Sequence, residues 1–133
     1  MTAPPRTAKT RAGLRADLGS RAEDAVADYL QALGIEIVER NLRVGRLEID
    51  IVARDGDTIL VVEVRTRGAG ALQTAFGSIG HEKRTRIRRA GERLWNRRYS
   101  RDAAVARMRF DAASVVLPPN GDAPIVEYAP AAF

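Results

Sequence analysis

Four charged residues in a short stretch have the types and spacing to do chemistry. Glu48 and Asp50 alternate with Leu47, Ile49 and Ile51. Glu63 and Arg65 alternate with Val62, Val64 and Thr66. Asp55-Gly56 between the two runs is a hairpin signal. With those two residues at the tip, Arg54 faces Asp57, Glu48 faces Glu63, Asp50 faces Val61 and Arg46 faces Arg65. Side chains alternate along a strand, so Glu48, Asp50, Glu63 and Arg65 share one face. Carboxylates directly opposite each other repel. Two readings follow. A hard divalent cation, Mg²⁺ or Mn²⁺, resolves the repulsion, because it prefers carboxylate and carbonyl oxygens. Alternatively the face is solvated, or Arg46 and Arg65 neutralise the acids.

The elements that carry these residues follow from periodicity. Leu18, Ala22, Ala25, Val26, Tyr29, Leu30 and Leu33 have helical spacing, which predicts a helix over Asp17 to Leu33, stopped by Gly34. Ile35 to Leu42 reads as a strand, followed by strands from Leu47 to Ala53 and from Thr58 to Arg65. Gly68, Gly70 and Gly77 mark a connection, and they lack the pattern of a phosphate-binding loop. A second helix is predicted from Ile79 to Tyr99, with Ile87, Ala90, Leu94 and Trp95 as its apolar positions. Met108 to Leu117 and Ile125 to Tyr128 complete the set as strands, joined through the turn at residues 118–121. The order α-β-β-β-α-β-β implies an α/β fold, a mixed sheet flanked by helices.

The chain has 133 residues, enough for one domain and too few for two. Residues 17–133 are expected to form that domain, behind a disordered basic tail over residues 1–16, which are rich in Pro, Thr and Ala. With no cysteine and only His81 as histidine, thiolate chemistry and multi-histidine metal sites are excluded. No secretory signal or membrane-length apolar run is present, which places the expected location in the cytoplasm, away from membranes. Net charge is +5, with 20 Arg and 2 Lys. Residues 48–82 carry 6 acids and 3 cations, whereas residues 83–109 carry 11 cations and 2 acids. An acidic hairpin therefore precedes a strongly basic segment. That juxtaposition suits a cation beside a polyanion, although a solvated helix face accounts for many charge runs.

Residues 45–67, GRLEIDIVARDGDTILVVEVRTR, resemble the core of the YraN-like uncharacterised protein family. That family is a branch of the PD-(D/E)xK nuclease superfamily, whose nearest functional relatives resemble archaeal Holliday-junction resolvases. Ala22-Glu23, Gly34, Asn41, Phe76-Gly77, Lys83, Arg109-Phe110-Asp111 and Ala132-Phe133 carry the resemblance further, over roughly residues 18–133. It implies a restriction-endonuclease-like core and Mg²⁺- or Mn²⁺-dependent cleavage of DNA, branched or otherwise structured. A resolvase-like role would also imply a homodimer. By resemblance, Asp50 and Glu63 are the metal ligands, with the Val64 carbonyl as a third oxygen. Glu23 matches the first-helix glutamate, and Glu48 the acidic position of the family's G-E-I-D run.

Two departures matter. Arg65 replaces the lysine of the E-x-K motif, and Arg46-Leu47 separates Gly45 from Glu48. Arginine grips phosphate but cannot accept a proton. This leaves two outcomes, an enzyme that tolerates the exchange or a binding module without catalysis. Lys83 lies on the stripe of Ile79, Ile87, Ala90 and Leu94, which directs it toward Asp50 and Glu63. It is either a stand-in for the missing lysine or a lysine covering apolar surface. Arg46, Arg67, Arg84 and Arg88 are the expected nucleic-acid contacts. Trp95 and Tyr99 have helical spacing, which makes them packing residues before base-stacking ones.

Overall fold

The computed structural model describes residues 11–67 and 80–133. The connection containing Gly68, Gly70 and Gly77, the expected helix position Ile79, and the first ten residues of the expected tail lie outside them. The elements are α1 (Arg11–Ala32), β1 (Glu36–Val44), β2 (Leu47–Asp55), β3 (Thr58–Arg67), α2 (His81–Leu94), β4 (Arg107–Val116) and β5 (Ile125–Ala129). A single π-helical turn, Trp95–Tyr99, extends α2. The strands form one mixed sheet in the order β1-β2-β3-β4-β5. Only β3 and β4 run parallel, joined through α2. The expected α/β order is therefore the observed one.

α1 starts at Arg11, six residues ahead of the Asp17 start that the spacing predicts. It ends in a Schellman motif: Ile35 N–H donates to the Leu30 carbonyl and Gly34 N–H to that of Gln31. Gly34 takes the left-handed conformation (φ +82°) that this stop requires. The buried stripe of α1 is narrower than its spacing suggests. Ala22, Val26, Ala27 and Leu30 are buried, whereas Leu18, Tyr29 and Leu33 stand at its exposed margins. Tyr29 compensates by stacking on Tyr128 of β5, with ring centroids 5.6 Å apart.

The sheet separates two apolar layers. On one face Ile51, Ala53, Leu60, Val62, Ala113 and Val115 meet α1. On the other, Val44, Ile49, Val52, Ile59 and Val61 meet Ile87, Ala90 and Leu94 of α2. Trp95 and Tyr99 join this second layer, so their helical spacing reflects packing. At burial free energies of roughly 25 cal/mol per Å² of apolar area, these two layers dominate the stability.

The hairpin register differs from the sequence-based pairing. Asp55 pairs with Thr58, Arg54 with Ile59 and Ile51 with Val62. The tip is therefore Gly56-Asp57, not Asp55-Gly56. Gly56 has φ +60°, and Asp57 is not among the residues with positive φ. A single left-handed glycine at the first central position is the type II′ solution, whereas the expected tip needs both central residues left-handed. The shift spans two residues along the ladder and so keeps Asp50 on the face of Glu63, whereas Ile49 and Ile51 pack in opposite layers and Glu48 no longer shares that face by alternation. It does move Glu48 away from Glu63 and Asp50 away from Val61. Arg46 also leaves its expected position opposite Arg65, because Gly45-Arg46 forms the β1–β2 turn between the paired Val44 and Leu47.

Candidate active site

Continuing the observed register sets Asp50 opposite Glu63. Hydrogen bonding with Glu63 favours the protonated form of Asp50. Asp50 also accepts a hydrogen bond from the Val64 N–H at 2.8 Å. The β2–β3 ladder ends at Ile51–Val62, and the Asp50 carboxylate takes the Val64 amide just beyond it. A strand residue directs its N–H and C=O to the same edge, so the Val64 carbonyl also points toward the β2 side.

β1 and β2 turn over together at this point. Leu42 and Ile49 are paired and belong to the α2 layer. The next pair, Arg40 and Ile51, belongs to the other side: Ile51 packs in the α1 layer and Arg40 contacts Asp24 of α1 at 2.7 Å. Asn41, between Leu42 and Arg40, has a left-handed backbone (φ +52°) that rotates the strand. A non-glycine residue in that region costs energy and persists where the surroundings enforce it. The twist brings groups from both faces around Asp50. From α1, Glu23 accepts a hydrogen bond from Asn41 Nδ2 (3.1 Å) and lies 3.6 Å from Arg40. From α2, Lys83 Nζ lies 2.6 Å from Glu63 Oε1.

Burial pushes the Asp50 carboxyl up to about 8, with the negative charge of Glu63 adding to the effect. The shared hydrogen bond and the more distant charge of Glu23 act in the same direction, while the Val64 amide opposes them. Glu63 is buried and Lys83 is partly exposed (6% and 39% of their side chains). A cleft of about 400 Å³ opens over the group, lined by Arg46, Leu47, Glu48, Asp50, Glu63, Lys83, Arg86 and Ile87.

The structure thus brings together Glu23, Asp50, Glu63, Val64 and Lys83. Glu48 lines the cleft but is exposed and pairs with Arg43 of β1 rather than facing Glu63. Arg65 lies on β3 two residues beyond Glu63. Of the expected nucleic-acid contacts, Arg46 lines the cleft, and Arg88 is exposed and sits 5.1 Å over the Phe110 ring. Arg67 ends β3, and Arg84 lies on α2 beside Lys83. Arg86 also lines the cleft, although the expected contacts omit it. Its position three residues after Lys83, on the same helix face, is the signal that finds it. Arg109, counted in the basic segment, is committed internally: its Nε and Nη2 donate to both oxygens of the buried Asp111.

Among the described residues, no three His, Cys, Asp or Glu side chains converge as a metal cage. A cation here would rest on two carboxylates, a main-chain oxygen and oxygens from water or phosphate. That donor set suits Mg²⁺ or Mn²⁺ and does not suit zinc.

Residues 22–115 match the model of the uncharacterised protein family UPF0102. The chain belongs to the UPF0102 family. A UPF0102 protein of Sorangium cellulosum is 61% identical over 92% of this chain and 84% of its own length. One from Streptomyces coelicolor is 41% identical, covering 86% of this chain and 87% of the relative. A third, from Dictyoglomus turgidum, is 35% identical over 88% and 97% of the two chains. The matched segment contains Glu23, Asp50, Glu63, Val64 and Lys83. No helix among the described residues is long and apolar enough to cross a membrane.

Proposed function

We propose that this UPF0102 protein is a metal-dependent phosphodiesterase of the PD-(D/E)xK type, acting on nucleic acid and in particular on structured DNA. The observation that carries the reading is the Asp50–Glu63 pair. Burial and the negative charge of Glu63 hold Asp50 toward its protonated form, and a divalent cation would neutralise the two carboxylates in place of that proton. Asp50, Glu63 and the Val64 carbonyl would hold Mg²⁺ or Mn²⁺. When bound, such an ion polarises the phosphate and lowers the pKa of a coordinated water.

The protein's own groups divide the remaining work. Asp50 is fixed by the Val64 amide and would hold the cation in its deprotonated form. Lys83 supplies a compact positive charge at Glu63, where charge builds up on the phosphate under attack. Arg65 is thereby relieved of the motif lysine's role, which its high pKa unsuits it for. Glu23, held by Asn41, adds negative charge beside Asp50. Arg46 and Arg86 on the cleft wall, with Arg84 and Arg88 along α2, hold the sugar-phosphate backbone without reading sequence.

One observation favours a second reading. The Lys83–Glu63 ion pair already neutralises Glu63, so the site is electrostatically satisfied without a cation. A nucleic-acid-binding protein on the same fold, without catalysis, is the reading this supports.

The deciding experiment incubates the full chain with branched, flapped and linear DNA in Mg²⁺ or Mn²⁺. The enzyme reading expects cleavage that is lost in Asp50→Asn and in Glu63→Gln. Salt-dependent binding without cleavage selects the second reading.

A further inference from the structure

Among the described residues, two buried side-chain atoms have no hydrogen-bond partner: Arg65 Nε and Ser114 Oγ. They belong to neighbours. Arg65 on β3 and Ser114 on β4 are directly paired in the parallel ladder. Both side chains project to one face, because Val64, Ala113 and Val115 all pack in the α1 layer and alternation turns Arg65 and Ser114 to the other side. That is the side on which Lys83 meets Glu63.

Buried polar atoms are almost always paired, and an unpaired one marks a missing group or a functional constraint. Here two occur side by side, and they do not bond to each other. Their chemistry narrows what is missing. Arg65 Nε–H is a donor only, and the Ser114 hydroxyl donates as well. A cation is repelled by the guanidinium, and an apolar group leaves both atoms unsatisfied. An oxyanion accepts from both. Ser114 is 1% exposed and Arg65 is half-buried overall, with both unpaired atoms out of contact with solvent.

We infer that Arg65 and Ser114 form an oxyanion subsite for a phosphate of the nucleic-acid strand, the neighbour of the phosphate at Asp50 and Glu63. The identity of the ligand rests on the phosphodiesterase reading, whereas the unpaired atoms do not. Glu63 and Arg65 are two residues apart on one face, roughly 6.6 Å along the strand, which is the scale of the step between successive phosphates. Arg65 thus serves a second phosphate, and Lys83 stands at the first. The hydroxyl of Ser114 orients the guanidinium-bound oxyanion. Glu127 of β5 pairs with Ser114 on its other side and is solvent-exposed, so its carboxylate bounds the subsite and opposes the anion.

The test titrates inorganic phosphate into the metal-free full chain and follows the arginine Nε–H resonances by NMR, with Arg65 assigned by its loss in Arg65→Lys. The expected result is a saturable shift of the Arg65 resonance. Ser114→Ala keeps its melting temperature, since the hydroxyl it loses is unbonded, and binds phosphate about tenfold more weakly. Glu127→Gln binds more tightly. An Arg65 resonance indifferent to phosphate overturns the subsite, as does unchanged affinity in Ser114→Ala or Glu127→Gln, or a lowered melting temperature in Ser114→Ala. The assay needs neither metal nor cleavage. A positive phosphate result with no DNA cleavage leaves the subsite standing and removes the enzyme reading. DNA cleavage with a negative phosphate result removes the subsite alone.

Discussion

Lys83 Nζ lies 2.6 Å from Glu63 Oε1, an ion pair between the first turn of α2 and the middle of β3. It places a lysine at the acidic pair even though the E-x-K position holds Arg65. Lys83 is one of only two lysines among 22 basic residues, and its ammonium is a compact point charge on a flexible stem.

Replacing Lys83 separates its charge from its bulk. Lys83→Met keeps the apolar stem and removes the ammonium. Cleavage is expected to slow by about 10²-fold or more, while DNA affinity changes little, because arginines supply most of the backbone contacts. Lys83→Arg is expected to restore only part of the rate. Single-turnover cleavage alongside binding at fixed salt checks both.

Asp50 makes the stability depend on pH in an unusual direction. Its carboxyl is raised to about 8 in the folded chain, against 3.8 as the ordinary value. Between those values the folded chain binds more protons than the unfolded one, so stability falls as pH rises. The contribution is complete below about 3.8 and lost as pH climbs through about 8. Thermal melts from pH 6 to pH 9 should show a falling melting temperature. Asp50→Asn should flatten that slope and be the more stable chain at pH 9. A slope unchanged by Asp50→Asn would show that the proton resides elsewhere.

Asp111 is a structural counterpart to the site acids. It is fully buried in the middle of β4. Arg109 binds both of its oxygens, the Tyr128 hydroxyl donates to one, and the Ala131 N–H donates to the other at 2.8 Å. These bonds tie β5 and the C-terminal segment to β4. Asp111→Ala leaves Arg109 without its partner and should cost about 3–5 kcal/mol. Tyr128→Phe should cost about 1 kcal/mol. Urea unfolding monitored through Trp95 reads both.

Gly91 is where α2 comes closest to β4. A Cβ there would lie 2.6 Å from Cε1 and Cζ of Phe110. Gly91→Ala must displace that ring, which also packs on Phe133. The expected destabilisation is about 1–3 kcal/mol, despite the better helix propensity of alanine. A more stable Gly91→Ala chain would show that Phe110 can move without cost.

How far the sequence reveals this arrangement differs from residue to residue. The shared face of Asp50 and Glu63 is legible because strand periodicity is two, and a register error of two residues leaves it intact. The pairing itself is not legible, since Asp-Gly suits a type I′ tip and a Gly-first tip equally well as a string of letters. The rotation at Asn41 leaves no trace in the hydropathy pattern, because a left-handed asparagine inside a strand looks like any polar residue. Glu23 is therefore remote from Asp50 in the sequence pattern, and the turnover of β1 and β2 is what brings their elements together. The reach of Lys83 follows from helical spacing alone. Ser114 has no signal, being an ordinary small residue in a strand, and becomes conspicuous only when its hydroxyl is seen to lack a partner. Arg109 shows the opposite failure, an apparent surface cation that serves an internal carboxylate.

The claim that the Asp50–Glu63 pair is a cation site is tested most directly by titrating Mn²⁺ into the full chain at pH 7 in two buffers of different ionisation enthalpy. Saturable binding of one ion with release of about one proton is expected, since Asp50 must surrender its own, with loss of both in Asp50→Asn and Glu63→Gln. Binding that persists unchanged in both variants, or no saturable binding to the wild-type chain, would contradict it.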